Sequence, residues 1–434
     1  LPVITGAVAD RLGYRKTLMV AFTLMGIGYF LTSQVDLYGL FFISFAILGI
    51  GAGTFKPIIS GTIAKVTDER TSTLGFGIFY WTINLGAFLV PLFIVPALKK
   101  WDPSLEAYDY TNVFIMGAIA TGLMLIPTIL FYKEPSREKQ AKEPLGRTLM
   151  GILEKIWMVI ADWRFILFIF IYSWFWILYF QMFITVLWYV NDFVDASSLD
   201  AIVNSTLMPV ANAVIGFFVN IFGGDFNPIK WKFDVEHVTV INAGTIILLQ
   251  LFISNIFKRT KALPTILFGI GLGTLGMVIL AINANIWIFM AGIIIFSIGE
   301  MTAHPKFISY LGLIAPVDKK ATYMGFGFLY GVFGSLVGKM LGGFLYPIFV
   351  DNPMINFIKT KIAEAGAKIT IPEGASLDKA LEAAEKIGLE KSQVVEYAHT
   401  TELWLLFSGI GVITIIGLLF YDKVIGTREA GDVK

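Results

Sequence analysis

The chain has 434 residues, no Cys, three His, and 15 % charged residues against 56 % hydrophobic ones. Soluble domains carry about 25 % charge, so most of this apolar surface is read as facing lipid, in an integral multi-pass membrane protein. A formal net charge of +1 argues against a nucleic-acid binder, and the absence of Cys excludes disulfides, thiolate metal sites and Cys nucleophiles. Only His237, His304 and His399 can supply imidazole, so no multi-His metal site is expected and no cofactor is implied.

In chain order, Leu1–Ala9 is apolar and runs into Asp10-Arg11 like the last turns of a helix. The expectation is that a first helix and most of a second precede it. A bilayer crossing needs about 20 mostly apolar residues. Runs of that kind predict ten spans, at 17–33, 37–64, 72–98, 110–132, 164–190, 236–257, 263–283, 286–314, 321–350 and 402–421. The apolar segment 201–222 contains Pro209 and Asn residues and ends in Gly-Gly, which predicts a re-entrant or surface helix.

Lys and Arg collect on the cytoplasmic side of a membrane. With the loop at Leu12–Tyr14 placed inside, 20 of the 33 basic residues fall inside and ten outside, leaving Lys56, Lys306 and Lys339 in the bilayer. The organisation expected is an N-terminal bundle over 1–132, a cytoplasmic linker over 133–163 and a C-terminal bundle over 164–421. The linker opens with a charged stretch, and Thr148–Asp162 reads as an amphipathic helix on the cytoplasmic face. Extracytoplasmic inserts are expected at about 191–235 and 351–400, the second with one or two helices around Ser376–Tyr397, and 422–434 is a cytoplasmic tail.

The halves echo one another. Gly75–Tyr80 (GFGIFY) recurs 250 residues later as Gly325–Tyr330 (GFGFLY). Asp68-Glu69-Arg70 and Asp318-Lys319-Lys320 stand seven residues before the two copies. Lys56-Pro57 is mirrored by His304-Pro305, and the glycine-rich helix after Arg15-Lys16 by Ile266–Leu280. Duplicated halves with a substrate site near the midplane are a known transporter plan.

Two charges stand out in the spans. Lys56 lies nine residues before Lys65, about 14 Å inside that helix end at ~1.5 Å per residue, and Glu300 lies mid-way along 286–314. A charge at that depth costs about 2.5–3.5 kcal/mol or more unless it meets a polar cavity or a partner. One reading gives Lys56 to a substrate carboxylate and Glu300 to a substrate amine, with Glu300 coupled to protons. The other pairs them with charges of the protein. Tyr80 and Asn84, four apart on one helical face, are candidate ligand contacts. Gln181 and Asn242 are candidates too, although amides also join membrane helices. His304, one turn after Glu300, is a candidate proton relay or a packing residue.

The run Gly6-Ala7-Val8-Ala9-Asp10-Arg11-Leu12-Gly13-Tyr14-Arg15-Lys16 resembles the loop motif of the major facilitator superfamily. The resemblance implies an all-α fold of two pseudo-symmetric six-helix bundles, here lacking helix 1 and most of helix 2. It makes Gly6, Asp10, Arg11, Gly13 and Arg15 a gating loop, with Arg11 and Arg15 holding a neighbouring helix terminus. A narrower resemblance is to the proton-coupled oligopeptide transporters. It is carried by Gly51–Pro57 (GAGTFKP), Phe79–Gly86 (FYWTINLG), Gln181, Gly299-Glu300, Pro305, Ala315-Pro316 and Met324-Gly325. Phe180 stands where that family has an acidic residue before Gln181, Asn242-Ala243 replaces its Asn-Pro, and Gly327 takes the place of its Trp.

The resemblance implies a secondary active transporter carrying di- or tripeptides or similar zwitterions with protons, by alternating access. Such a protein would be a monomer in the plasma (inner) membrane, with a peptide-like substrate, protons and the lipid bilayer as partners. The alternatives are carriage of another small organic solute and a receptor-like relative that transports nothing. An enzyme is not expected: no Asp/His cluster, Gly-x-Ser-x-Gly elbow or Gly-Lys-Ser/Thr phosphate loop is present.

Overall fold

A backbone in lipid must satisfy its own polar groups, and the long apolar runs of this chain accordingly fold as helices. The computed structural model describes residues 13–66 except 36, 72–134 except 105–106, 157–314 except 222–225 and 258, and 326–426, with single residues 151, 154 and 323. A few side chains within helices, those of Lys56 and Tyr80 among them, lie outside that description. The chain divides into two compact units, Leu1–Asp162 and Trp163–Lys434.

In the first unit, α1 (Tyr14–Thr32) and α2 (Tyr38–Val66) form a helical hairpin, followed by α3 (Ser72–Leu89). Pro91 removes an N–H from the ladder and its ring crowds the carbonyl four residues back. The helix widens there into a π turn, Val90–Ile94, before a last α turn at Val95–Leu98. A small hairpin of β1 (Lys100–Asp102) and β2 (Ala107–Asp109) leads into α4 (Thr111–Leu123) and α5 (Leu125–Leu130). The break between these two, at Met124, comes just after Leu123, the residue four before Pro127 whose carbonyl the prolyl ring would meet. Tyr14, Leu18, Phe22 and Ile58 form an apolar cluster joined by Leu125 and Tyr132, which ties α1, α2 and the end of α5 together.

The second unit runs α6 (Trp163–Gln181), α7 (Thr185–Phe193), α8 (Ser197–Thr206), α9 (Met208–Ile221), α10 (His237–Phe257), α11 (Ala262–Leu280) and α12 (Ile286–Ile314). It continues with α13 (Leu329–Tyr346), a π turn at Pro347–Asp351, α14 (Asn352–Glu364), α15 (Leu377–Glu385), α16 (Lys391–Val395) and α17 (Thr400–Tyr421). The centre of the unit is α11 packed on α12. A Cβ on Gly299 would stand 2.4 Å from the Gly273 nitrogen, and one on Gly269 would stand 2.6 Å from the Ala303 nitrogen. Only glycine permits backbones that close.

Nine helices among the described residues are long and apolar enough to cross a membrane, or ten if the pair Ser197–Thr206 and Met208–Phe217, bent by 50°, counts as one. The nine depart from the expected ten in three ways. The first expected span forms as α1 but is not among the nine, since the helix opens on Arg15-Lys16. The span 164–190 is interrupted at Met182–Ile184. Helical structure also runs past 350 into α14, so the second insert begins as a helix that the sequence reading missed; α15 and α16 fall inside the expected Ser376–Tyr397. Of Thr148–Asp162 only part is described, with helix at 157–161.

The stretch 197–234 is built around side-chain amides. Pro209 ends α8 and starts α9 at an angle. The extended residues 226–234 then run back along the helices. Asn212 donates to the Ile229 carbonyl at 3.0 Å and accepts from its amide at 2.9 Å. Asn204 does the same with Trp231, at 2.7 and 2.9 Å. Asp200 accepts the Phe233 amide at 2.8 Å.

Candidate functional site

Glu300 stands mid-way along α12, in the turn that Gly299 locks against α11, and is only 6 % exposed. Its carboxylate accepts from Asn242 Nδ2 of α10 at 3.2 Å. The same amide donates to the Ser297 hydroxyl at 2.8 Å, and Ser297 in turn donates to the Ile293 carbonyl. Below this polar group, Ile246, Ile253 and Met301 pack α10 onto α12. Asn242 and Glu300 are therefore brought together, and Ser297 joins them. Ser297 was not singled out from the sequence, although it precedes Glu300 by three residues and so shares its helical face.

The other sequence candidates have different fates. Gln181 is completely buried and its amide is fully engaged. It donates to Ile177 O and Gly338 O, both at 2.9 Å, and accepts from the Thr185 hydroxyl at 2.7 Å. In this arrangement the residue fastens α6 to α13 and spans the break to α7, as the helix-joining alternative has it. His304 lies in an aromatic cluster, its ring 5.2 Å from Trp176 and 5.4 Å from Tyr330, with Tyr330 Oη 3.4 Å from Nε2. Trp176 and Tyr330 bring α6 and α13 to it. Asn84 is buried on α3. Lys56 and Tyr80 fall in α2 and α3, their side chains outside the described residues. Of the remaining intramembrane lysines, Lys306 donates to the Thr260 carbonyl at 2.8 Å, and Lys339 is exposed on α13. Among the described residues no group of His, Asp or Glu could hold a metal ion.

In the gating loop, Gly6, Asp10 and Arg11 lie outside the described residues. Gly13 starts α1 with φ 107, in the region that favours glycine. Arg15 sends its Nε to the Thr128 carbonyl at 3.2 Å and an Nη to that of Ile129, so a cation meets the C-terminal carbonyls of α5. Glu134, just past α5, accepts the amides of Tyr14 at 2.7 Å and Arg15 at 3.0 Å, so an anion meets the N-terminus of α1. Each charge complements a helix dipole end. Glu134 was not anticipated, because it lies 120 residues from the amide it caps.

The family model of the Major Facilitator Superfamily matches residues 1–232, just over half of the chain. The chain belongs to the major facilitator superfamily. Its mostly helical fold and apolar helices fit an integral multi-pass membrane protein and a transporter of that superfamily. A multidrug resistance protein, MdtH of Proteus mirabilis (strain HI4320), is 21 % identical over 348 residues, covering 80 % of this chain and 74 % of that one. A peptide transporter, YePEPT of Yersinia enterocolitica subsp. palearctica serotype O:3 (strain YE-P4), is 27 % identical over 182 residues, which cover 36 % of this chain and 33 % of that one. Among solved structures, a POT family transporter in complex with 5-aminolevulinic acid aligns with TM-score 0.62 at 17 % identity, covering 98 % of this chain and 86 % of that one. The POT family transporter PepTSo aligns with TM-score 0.63 at 15 % identity, covering 98 % and 87 %.

Proposed function

We propose that this protein is a divergent proton-coupled oligopeptide transporter, carrying di- or tripeptides or similar small zwitterions with protons by alternating access. It acts as a monomer in the plasma membrane, with bundles at 1–132 and 164–421 joined by a cytoplasmic linker. The observation that carries the reading is Glu300, a nearly inaccessible carboxylate at mid-helix that meets the Asn242 amide and, through it, Ser297. An isolated charge at that depth costs about 2.5–3.5 kcal/mol or more, and two neutral hydrogen-bonding groups do not cancel a charge. A group that takes up a proton, or receives a substrate amine, gains a reason to be there.

In this reading Glu300 binds the amine or the proton, Asn242 orients its carboxyl, and Lys56, Tyr80 and Asn84 contribute from the first unit by their sequence positions. His304 is a candidate for passing protons along α12. The POT family neighbours support peptide-like cargo.

A second reading, carriage of another small organic solute, is favoured by the MdtH relatives, which align over 80 % of the chain. Phe180, apolar where the peptide carriers have an acidic side chain, points the same way. Uptake by proteoliposomes separates the two. A peptide panel offered with and without an inward proton gradient is expected to show gradient-driven accumulation that Glu300→Gln abolishes. Full proton-driven uptake by Glu300→Gln removes Glu300 from the coupling, and absence of any peptide competition moves the assignment to the second reading.

A further inference from the structure

The stretch 197–234 leaves and returns at one end of the second unit. Asp195 bridges Asn285 in the turn between α11 and α12, and the Phe233 ring lies 6.4 Å from Phe289 near the start of α12. It is therefore an excursion to one side. Two residues of helix turn through about 200°, so the Asp200, Asn204 and Asn212 face is opposed by another. That other face carries Ile202, Val210, Val214 and Phe217, exposed by 48, 67, 52 and 63 %.

The polar face is filled by the chain's own extended return, whose backbone at 229, 231 and 233 finds partners in the three side chains. Internal satisfaction of backbone groups is what a low-dielectric surround demands. Lys230 and Lys232, two apart on extended backbone, extend to one side and are exposed. On this side the sequence places ten basic residues, six of them in the 351–400 insert, so outside that insert only Lys99 and Lys100 accompany these two.

We propose that residues 197–221 and 226–234 form an amphipathic element seated in the leaflet on this side. Its apolar row lies among acyl chains, and Lys230 and Lys232 bind the phosphate of anionic phospholipid. An amphipathic element with an apolar face settles about 5–10 Å into the headgroup boundary, and Lys230 and Lys232, together at one end of it, each add local electrostatic attraction to anionic lipid. The proposal does not depend on the transported substrate.

The chain has no Cys, so single-Cys variants report unambiguously. Val210→Cys, Val214→Cys and Lys232→Cys are each nitroxide-labelled and placed in phosphatidylcholine vesicles with and without phosphatidylglycerol. The labels at 210 and 214 are expected to relax several-fold more with dissolved oxygen than with a water-soluble nickel chelate, and the label at 232 the reverse. All three sites are exposed, so the labels leave the amide ladder intact. A Lys230→Gln/Lys232→Gln double variant is expected to retain several-fold less phosphatidylglycerol through purification, with phosphatidylcholine unchanged. Nickel-dominated relaxation at 210 and 214 would overturn the lipid-seated element. So would spin–spin broadening that persists on lipid dilution, which would assign the face to a second copy. Unchanged phosphatidylglycerol retention, or its displacement by inorganic phosphate, would remove the lipid site at the lysines.

Discussion

The hairpins α1–α2 and α11–α12 stand in corresponding places of the two halves, and they are cemented differently. Ten of the 19 residues of α11 are buried, against seven of 19 in α1. In α11–α12, glycines on both helices face one another: Gly273 meets Gly299, and Gly276 meets Gly292. In α1–α2 each close glycine meets a larger residue, Gly28 against Leu48 and Gly51 against Met25. Phe42, Ile43 and Ile50 of α2 stay exposed, while Phe289, Ile293 and Phe296 of α12 are fully buried. The difference shows how a midplane carboxylate is held. Glu300 follows the glycine that makes the tightest contact of the seam, so its backbone has no freedom to drift from Asn242.

Four measurements would break or sharpen that contrast. The largest effect is expected from Gly299→Ala, whose new methyl would meet Gly273 and Gly269 backbone within 2.5 Å. Overpacking of this kind costs about 1–3 kcal/mol, read as a lower Tm in detergent. Gly271→Ala, with nothing within 4 Å of its Cβ, is the control and is expected to be neutral or stabilising by up to about 1 kcal/mol. Equal Tm values for the two would remove the seam as the source of rigidity.

In the first unit the fastening is at the ends. Glu134→Ala frees the amides of Tyr14 and Arg15, and loss of a cap typically costs about 1 kcal/mol. Hydrogen exchange in the first turn of α1 is expected to accelerate while that of α11 stays unchanged. Asn242→Ala comes next, at about 0.6 kcal/mol, the average for hydrogen bonds between membrane helices. Its larger signature is expected in the pH profile of uptake, since it strips Glu300 of its amide.

The smallest effect lies outside the membrane. Asp109 accepts the Thr111 amide at 2.8 Å. The Thr111 side chain and then its amide hold the Asp109 carboxyl below its ordinary value. A depressed acid stabilises above its ordinary value of about 3.9 and loses that contribution as pH falls through the lower folded one. Thr111→Val should move the carboxyl titration back up; an unmoved titration would discount the hydroxyl.

The helices were legible in the sequence because length and hydropathy decide a span. The breaks were less so: each prolyl kink displaces the interruption by up to four residues, and the α7 break contains no Pro. Asn242 and Glu300 were legible as polar groups out of place among apolar ones. Gln181 was equally out of place, yet the partner that ties it to α13 is a backbone carbonyl, which every sequence contains and none advertises. Glu134 and the amides opposite 229, 231 and 233 join residues distant in the chain, and no local pattern encodes such a meeting.

The amide ladder is also a problem of commensurate rulers. Four helical residues rise about 6 Å, and two extended residues advance about 6.6 Å, so Asp200 and Asn204 match Phe233 and Trp231 almost step for step. From Asn204 to Asn212 a straight helix would advance about 12 Å, against a single two-residue step from Trp231 to Ile229. The 50° bend between the helices lies within that interval but takes only about 1 Å off the ~12 Å path. The two scales therefore do not coincide at this rung, and the Asn212 side chain reaches across the difference to meet Ile229. Removing one residue between 204 and 212 would leave Asn212 about 100° out of phase, with no rung to meet.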